Sequence, residues 1–133
     1  MNNNKKLGSK FEKDFADFLA NQGYWAHYIE GAAHTGSQPC DIIAIKNNNP
    51  MLIDCKTLNN KNGLFPLSRL EENQRLAFKK FRQCNNEDFL LAILWKNNVY
   101  LIHLLDININ DKSINLKNFP IKCKEFYVNE DKS

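Results

Sequence analysis

Two short runs of alternating apolar and polar residues, separated by an Asn-rich break, dominate the middle of the chain. They span residues 39–57, PCDIIAIKNNNPMLIDCKT. Side chains in a strand change face at every residue. Asp41, Ile43 and Ile45 therefore share one face of a first strand, and Leu52, Asp54 and Lys56 share one face of a second. The turn over residues 46–50 folds the two back as an antiparallel pair. That pairing brings Asp41 close to Asp54 and Lys56.

The pattern changes period on either side. Phe11, Phe15, Phe18 and Leu19 recur at helical spacing and predict a helix over residues 8–22, stopped by Gly23. Ser9 is its expected N-cap, with Glu12 three residues on as a capping-box partner. Residues 1–6 are polar and expected to fray. Residues 24–29 (YWAHYI) read as an aromatic strand, and residues 30–38 as a Gly-containing polar loop. A second helix is predicted from a Ser68 cap to Gln83, with Leu70, Ala77, Phe78 and Phe81 on its apolar arc. Residues 89–95 and 99–105 read as a hairpin around Lys96, Asn97 and Asn98. Beyond residue 106 the pattern is mixed. Ile107 and Ile109 alternate, Phe119-Pro120 breaks the chain, and KCKEFYV fits an edge strand or a helix.

Strands interleaved with helices predict an α/β fold, a central mixed sheet flanked by helices. The 133 residues suit one domain, residues 1–133. An apolar fraction of 43% and a charged fraction of 25% are ordinary for a globular chain. The net charge of +3 permits a nucleic-acid partner without demanding one. Cys40, Cys55, Cys84 and Cys123 show no C-x-x-C spacing, which disfavours a zinc cluster or a disulfide framework. No signal peptide and no membrane-length apolar run are visible, so a cytoplasmic location is expected.

Two aspartates and a lysine between otherwise apolar strands call for compensation, because unpaired charge in low dielectric is penalised by several kcal/mol or more. A divalent cation compensates the acids, and aspartate oxygens completed by waters suit Mg²⁺ or Mn²⁺. With the lysine beside a water and a phosphate, the implied chemistry is metal-assisted phosphodiester hydrolysis. The plainer reading is a structural salt bridge. Glu12, at the edge of its helix's apolar arc, serves either as a cap or as a further acid leaning toward the site. Gln74 falls in the middle of an apolar arc and needs hydrogen-bond partners, either backbone or the Lys56 neighbourhood. Arg75, Lys79 and Arg82 form a basic row that is either a solvated face or a phosphate contact, and Arg69 precedes them. Thr35 and Ser37 offer hydroxyls in the loop before Asp41. His27 is read as a packed or surface histidine.

The order of these features resembles the PD-(D/E)XK nuclease superfamily with its restriction-endonuclease-like fold. Within it, the chain looks most similar to Holliday junction resolvases of the archaeal Hjc-like and bacterial RecU-like kinds. GSKFE at residues 8–12, GSQPCDIIAI at 36–45, LIDCKT at 52–57 and FPLSRLEENQ at 65–74 carry the resemblance, leaving the C-terminal part unmatched. The resemblance implies that Asp41 and Asp54 hold the metal and Lys56 serves the attacking water. It implies that Glu12 assists metal or water, that Gln74 positions the lysine or the phosphate, and that Thr35 and Ser37 touch the scissile strand.

The first functional expectation is a Mg²⁺-dependent (or Mn²⁺-dependent) endonuclease acting on branched DNA such as four-way junctions, as a homodimer. Two paired cuts in a two-fold substrate match a two-fold enzyme. A restriction- or repair-type nuclease of the same fold is a second reading, and a non-catalytic DNA-binding protein a third.

Overall fold

The computed structural model describes residues 3–29, 38–108 and 110–128, with the side chains of the first helix from Leu7 onward. The expected contacts from Thr35 and Ser37, and the alternation at Ile109, lie outside the described residues. Helix α1 (Asn3–Asn21) leads into strand β1 (Trp25–Tyr28). The central hairpin follows as β2 (Ile42–Lys46) and β3 (Asn49–Leu58). Then come β4 (Leu64–Pro66), α2 (Glu72–Gln83), β5 (Phe89–Trp95), β6 (Asn98–His103), β7 (Ser113–Asn115) and β8 (Ile121–Cys123).

Six strands form one sheet in the order β1-β2-β3-β5-β6-β8. Among the described residues only β3 and β5 pair in parallel, and the chain crosses between them through α2. Strands β4 and β7 make a separate two-stranded ribbon. The mixed α/β architecture agrees with the sequence pattern. Both hairpin turns use left-handed residues, Asn47 and Asn48 (φ 53° and 67°) and Lys96 and Asn97 (φ 50° and 62°). This geometry matches the twist of flanking strands, and after glycine asparagine tolerates it best.

The two faces of the sheet carry separate cores. Phe11, Phe15 and Leu19 of α1 pack with Ile42, Ala44, Ile53, Cys55 and Ala92. On the opposite face Phe89, Leu91, Ile93 and Trp95 meet Leu67, Leu70 and the ribbon, with Ala77, Phe78 and Phe81 of α2 packed against them. Every residue of β5 is buried, which explains its unbroken FLLAILW run: a strand covered on both sides has no polar face to show. The C-terminal segment closes the α1 layer, with the Phe126 ring 5.6 Å from Phe11 and 5.7 Å from Phe18. Asn97 holds it there by accepting from Tyr127 N and donating to Tyr127 O. The KCKEFYV stretch thus begins as an edge strand rather than a helix.

Two helix starts differ from the sequence expectation. Helix α1 begins at Asn3 and runs through Ser9, so Ser9 does not cap it and Glu12 lies in its interior. Lys5, Lys6 and Leu7 favour helix, and continuing through Gly8 costs only about 1 kcal/mol. The second helix starts at Glu72 with Glu71 as N-cap, not at Ser68. Leu67–Arg69 instead form a 3₁₀ turn and Leu70 is extended, which buries Leu67 and Leu70 together under the sheet. Gly23 does terminate α1, at φ 93°, and Lys46 of β2 donates to Gln22 O beside it. Among the described residues no helix is long and apolar enough to cross a membrane.

Candidate active site

The hairpin register decides the geometry. Ile42 pairs with Ile53 and Ile43 with Leu52, and Asp41 N donates to Ile53 O, so the pairing extends one step to set Asp41 across from Asp54. Asp41 and Asp54 are both buried, at 8% and 1% exposure. Their burial leaves little water to screen two carboxylates placed against each other.

Each carboxylate is held by different partners. Asp41 Oδ2 accepts from Cys55 N at 2.8 Å, and Oδ1 accepts from Gln38 Nε2 at 3.1 Å. Gln38 is in turn tied to the start of α2, where Asn73 Nδ2 donates to Gln38 O at 2.7 Å. Asp54 Oδ1 accepts from Gln74 Nε2 at 2.6 Å. Gln74 is itself oriented, because its Oε1 accepts from Glu71 N and closes the first turn of α2. Asp54 Oδ2 lies 3.2 Å from Lys56 Nζ as an ion pair, yet among the described residues it lacks full hydrogen-bond geometry to any group. Lys56, two residues further along β3 on the same face, is mostly covered.

The electrostatics follow from this placement. Burial pushes the Asp54 carboxyl up to about 8; Lys56 opposes the shift, while the Asp41 carboxyl beside it adds to it. Glu12 is raised to about 7, first by burial and then by Asp41, against a hydrogen bond with Tyr28 and the Lys56 charge. Three acids thus crowd one ammonium, and the native charge balance favours taking up a proton or a cation.

The donor set fits a hard divalent cation. Two buried aspartates face each other, and among the described residues one carboxylate oxygen, Asp54 Oδ2, is buried with only the Lys56 ion pair beside it. Mg²⁺ is commonly held by one or two carboxylates, with water and substrate phosphate filling its shell. Among the described residues no group of three or more His, Cys, Asp or Glu is arranged as a metal cluster.

Of the expected site residues, the structure gathers Asp41, Asp54, Lys56 and Gln74, with Glu12 approaching from α1. Gln74 meets both kinds of expected partner: its Oε1 accepts from the Glu71 backbone, and its Nε2 donates to Asp54, the carboxylate paired with Lys56. Arg69 lies close by: its Nη1 donates to Thr57 O at 2.8 Å and its guanidinium stands 5.1 Å from the Phe65 ring. Burial lowers its pKa, with the Asp54 charge opposing. Arg75 is turned elsewhere. Its Nη2 donates to Leu67 O at 3.1 Å and its Nε reaches Leu70 O at 3.4 Å, fastening the 3₁₀ turn to the helix. Arg75 and Arg82 line a cavity with Leu70, Phe78, Leu104 and Leu105. At about 100° per residue that flank is far around α2 from Asn73. Lys79 is exposed on the same side.

Gln38, Asn73 and Tyr28 are the supporting residues that sequence reasoning missed. Gln38 stood three residues before Asp41 as part of a polar loop, and nothing local marked Asn73 or Tyr28 as facing the acids.

The sequence model of the family described as archaeal Holliday junction resolvase (Hjc) matches residues 3–127. That span includes the C-terminal part that the motifs alone left unmatched. No curated protein matches the chain. Among solved structures, Hjc from Archaeoglobus fulgidus, a Holliday junction resolvase from an archaeal hyperthermophile, superposes with a TM-score of 0.61 at 18% identity. The match covers 84% of this chain and 89% of that one. At this identity the likeness is one of fold.

Proposed function

The chain belongs to the archaeal Holliday junction resolvase family, nucleases of branched DNA, and from that premise we propose a Mg²⁺-dependent endonuclease that cuts four-way junctions as a homodimer. The observation that carries the metal assignment is the Asp41–Asp54 pair, buried and facing, with Asp54 Oδ2 making no hydrogen bond among the described residues beyond its ion pair with Lys56.

In this reading Asp41 and Asp54 hold the cation, which when bound supplies Lewis-acid charge to the scissile phosphate. Gln74 fixes the Asp54 carboxylate from the first turn of α2, and Gln38, braced by Asn73, fixes Asp41. Such supporting hydrogen bonds set the orientation on which a metal ligand's affinity depends. Lys56 orients the attacking water and donates to the phosphate oxygens. Glu12 assists the cation or the water from the α1 side, and a carboxyl raised to about 7 suits proton exchange near neutral pH.

Arg69 contacts DNA beside the site. Lys79 and Arg82 sit further along α2 and serve an adjacent junction arm, with Arg75 fixing the turn that orients them. Thr35 and Ser37 are assigned to the scissile strand by the family resemblance alone. A two-fold pair of subunits places two such sites for paired cuts.

The test compares a labelled four-way junction with a linear duplex of the same sequence, with Mg²⁺ or EDTA. Selective, Mg²⁺-requiring cleavage of the junction is expected. Equal cutting of both substrates overturns the junction assignment, and cutting in EDTA overturns the metal.

A further inference from the structure

Just past Lys56 the chain opens a second polar recess. The parallel strands β3 and β5 end side by side there, with Thr57 paired to Leu94 and Leu58 to Trp95. Thr57, Asn59, Arg69, Lys96 and Asn97, with Leu7 of α1, line a cleft of about 460 Å³. The carboxyl edge of neighbouring parallel strands is where open α/β sheets receive ligands.

The cleft has a consistent charge. Arg69 and Lys96 both border it, and among the described residues neither forms a salt bridge. Arg69 is held in place by its bond to Thr57 O and by the Phe65 ring, which leaves most of its five N–H donors available. Lys96 stands over the Trp95 ring at 4.8 Å. Trp95 in turn donates from Nε1 to Asn60 O at 2.8 Å, so the ring beneath Lys96 is anchored. Lys96 also occupies a left-handed turn position, φ 50°, that asparagine or glycine would fill at lower cost. The cleft begins at Thr57, one residue past Lys56 along β3, and Arg69 reaches Thr57 O there, so the cleft adjoins the end of the strand that carries the catalytic lysine.

We propose that this cleft binds the DNA backbone immediately flanking the scissile phosphate, with Arg69 and Lys96 as its phosphate contacts. The inference rests on the nuclease reading and extends it: Lys96 becomes a positioning residue, supplied by the β5–β6 turn and absent from every motif of the sequence. Its side chain sets where along the strand the cut falls, by holding a phosphate beyond the one attacked.

The test uses Lys96→Gln, which removes the charge at nearly constant length in an exposed turn, and Lys96→Arg, which restores it. Junction binding by the full chain is titrated in EDTA across a salt series. Lys96→Gln is expected to flatten the slope of log affinity against log salt by about 1, with Lys96→Arg near wild type. Junctions carrying one neutral methylphosphonate at successive positions locate the contact. One position near the cut should weaken wild-type binding and leave Lys96→Gln unaffected. An unchanged salt slope, or a methylphosphonate profile identical in the two proteins, overturns the proposal. If cleavage still requires Mg²⁺ and Asp41, those outcomes remove the cleft alone. Failure of the wild-type protein to bind junctions at all removes both readings.

Discussion

Gln74 Nε2 donates to Asp54 Oδ1 at 2.6 Å, joining the first turn of α2 to the middle of β3 across the interior. The same amide accepts from Glu71 N through Oε1. One side chain therefore starts a helix and aims a carboxylate, and the position of α2 is tied to the geometry of the site.

Gln74→Ala breaks both bonds and leaves Asp54 with an unpartnered buried oxygen. A stability loss of about 1–3 kcal/mol is expected, read by denaturant titration. Cleavage should fall by about 10- to 100-fold at saturating DNA, the usual effect of losing a ligand's outer partner. An active Gln74→Ala enzyme would separate the helix cap from the chemistry.

Asp41→Asn and Asp54→Asn should each abolish cleavage and leave junction binding largely intact. Their stabilities should diverge. Asp54 is buried with a raised pKa, so its neutral isostere removes the cost of burying the charge and the repulsion from Asp41, which together outweigh the lost Lys56 pairing, and should raise the Tm of the metal-free protein at pH 8. Asp41 accepts from both Cys55 N and Gln38, and the amide of Asp41→Asn keeps one acceptor only, so a modest loss of about 1 kcal/mol is expected there. Equal Tm shifts in the two variants would contradict this division.

Stability of the metal-free protein should fall as pH rises from about 4 to about 8. Asp54 (about 8) and Glu12 (about 7) both hold protons more tightly folded than unfolded. Folding therefore takes up protons in that window, and the stabilisation is fully present below the unfolded carboxyl values, near 4. Added Mg²⁺ should restore the high-pH end, because the cation replaces the proton. Thermal melts across pH, with EDTA and with Mg²⁺, check the sign. A metal-free Tm that climbs from pH 5 to 8 would refute it.

Arg75→Ala should lower Tm by releasing the Leu67 and Leu70 carbonyls, whereas Lys79→Ala with Arg82→Ala should leave Tm nearly unchanged. The latter pair should flatten the salt slope of junction binding more than that of duplex binding, as a contact to a neighbouring arm requires. Equal slopes for both substrates would remove that flank of α2 from the DNA surface.

The sequence by itself determined the central hairpin and its face. Strand alternation places Asp41, Ile43 and Ile45 together, the Asn47–Asn48 turn fixes the register, and that register brings Asp41 across from Asp54 with Lys56 beside it. These are local consequences of period and turn chemistry, so a short window of sequence contains them. Tertiary structure decided the rest. Gln74 was legible as a polar residue on an apolar arc, but its partner depended on how α2 docks over β3. Arg75 looked like one of a basic row until the 3₁₀ turn at Leu67–Arg69 put two carbonyls in its reach. Glu12 was legible as a cap or as an acid leaning toward the site; α1 starting at Asn3 removed the cap, and the packing of α1 on the sheet set its carboxyl beside Tyr28 and Asp41. Gln38 and Asn73 gained their roles only from each other, 35 residues apart. Contacts of that separation come from the packing of whole elements, whose energy is spread over the two cores and leaves no mark on the neighbouring residues.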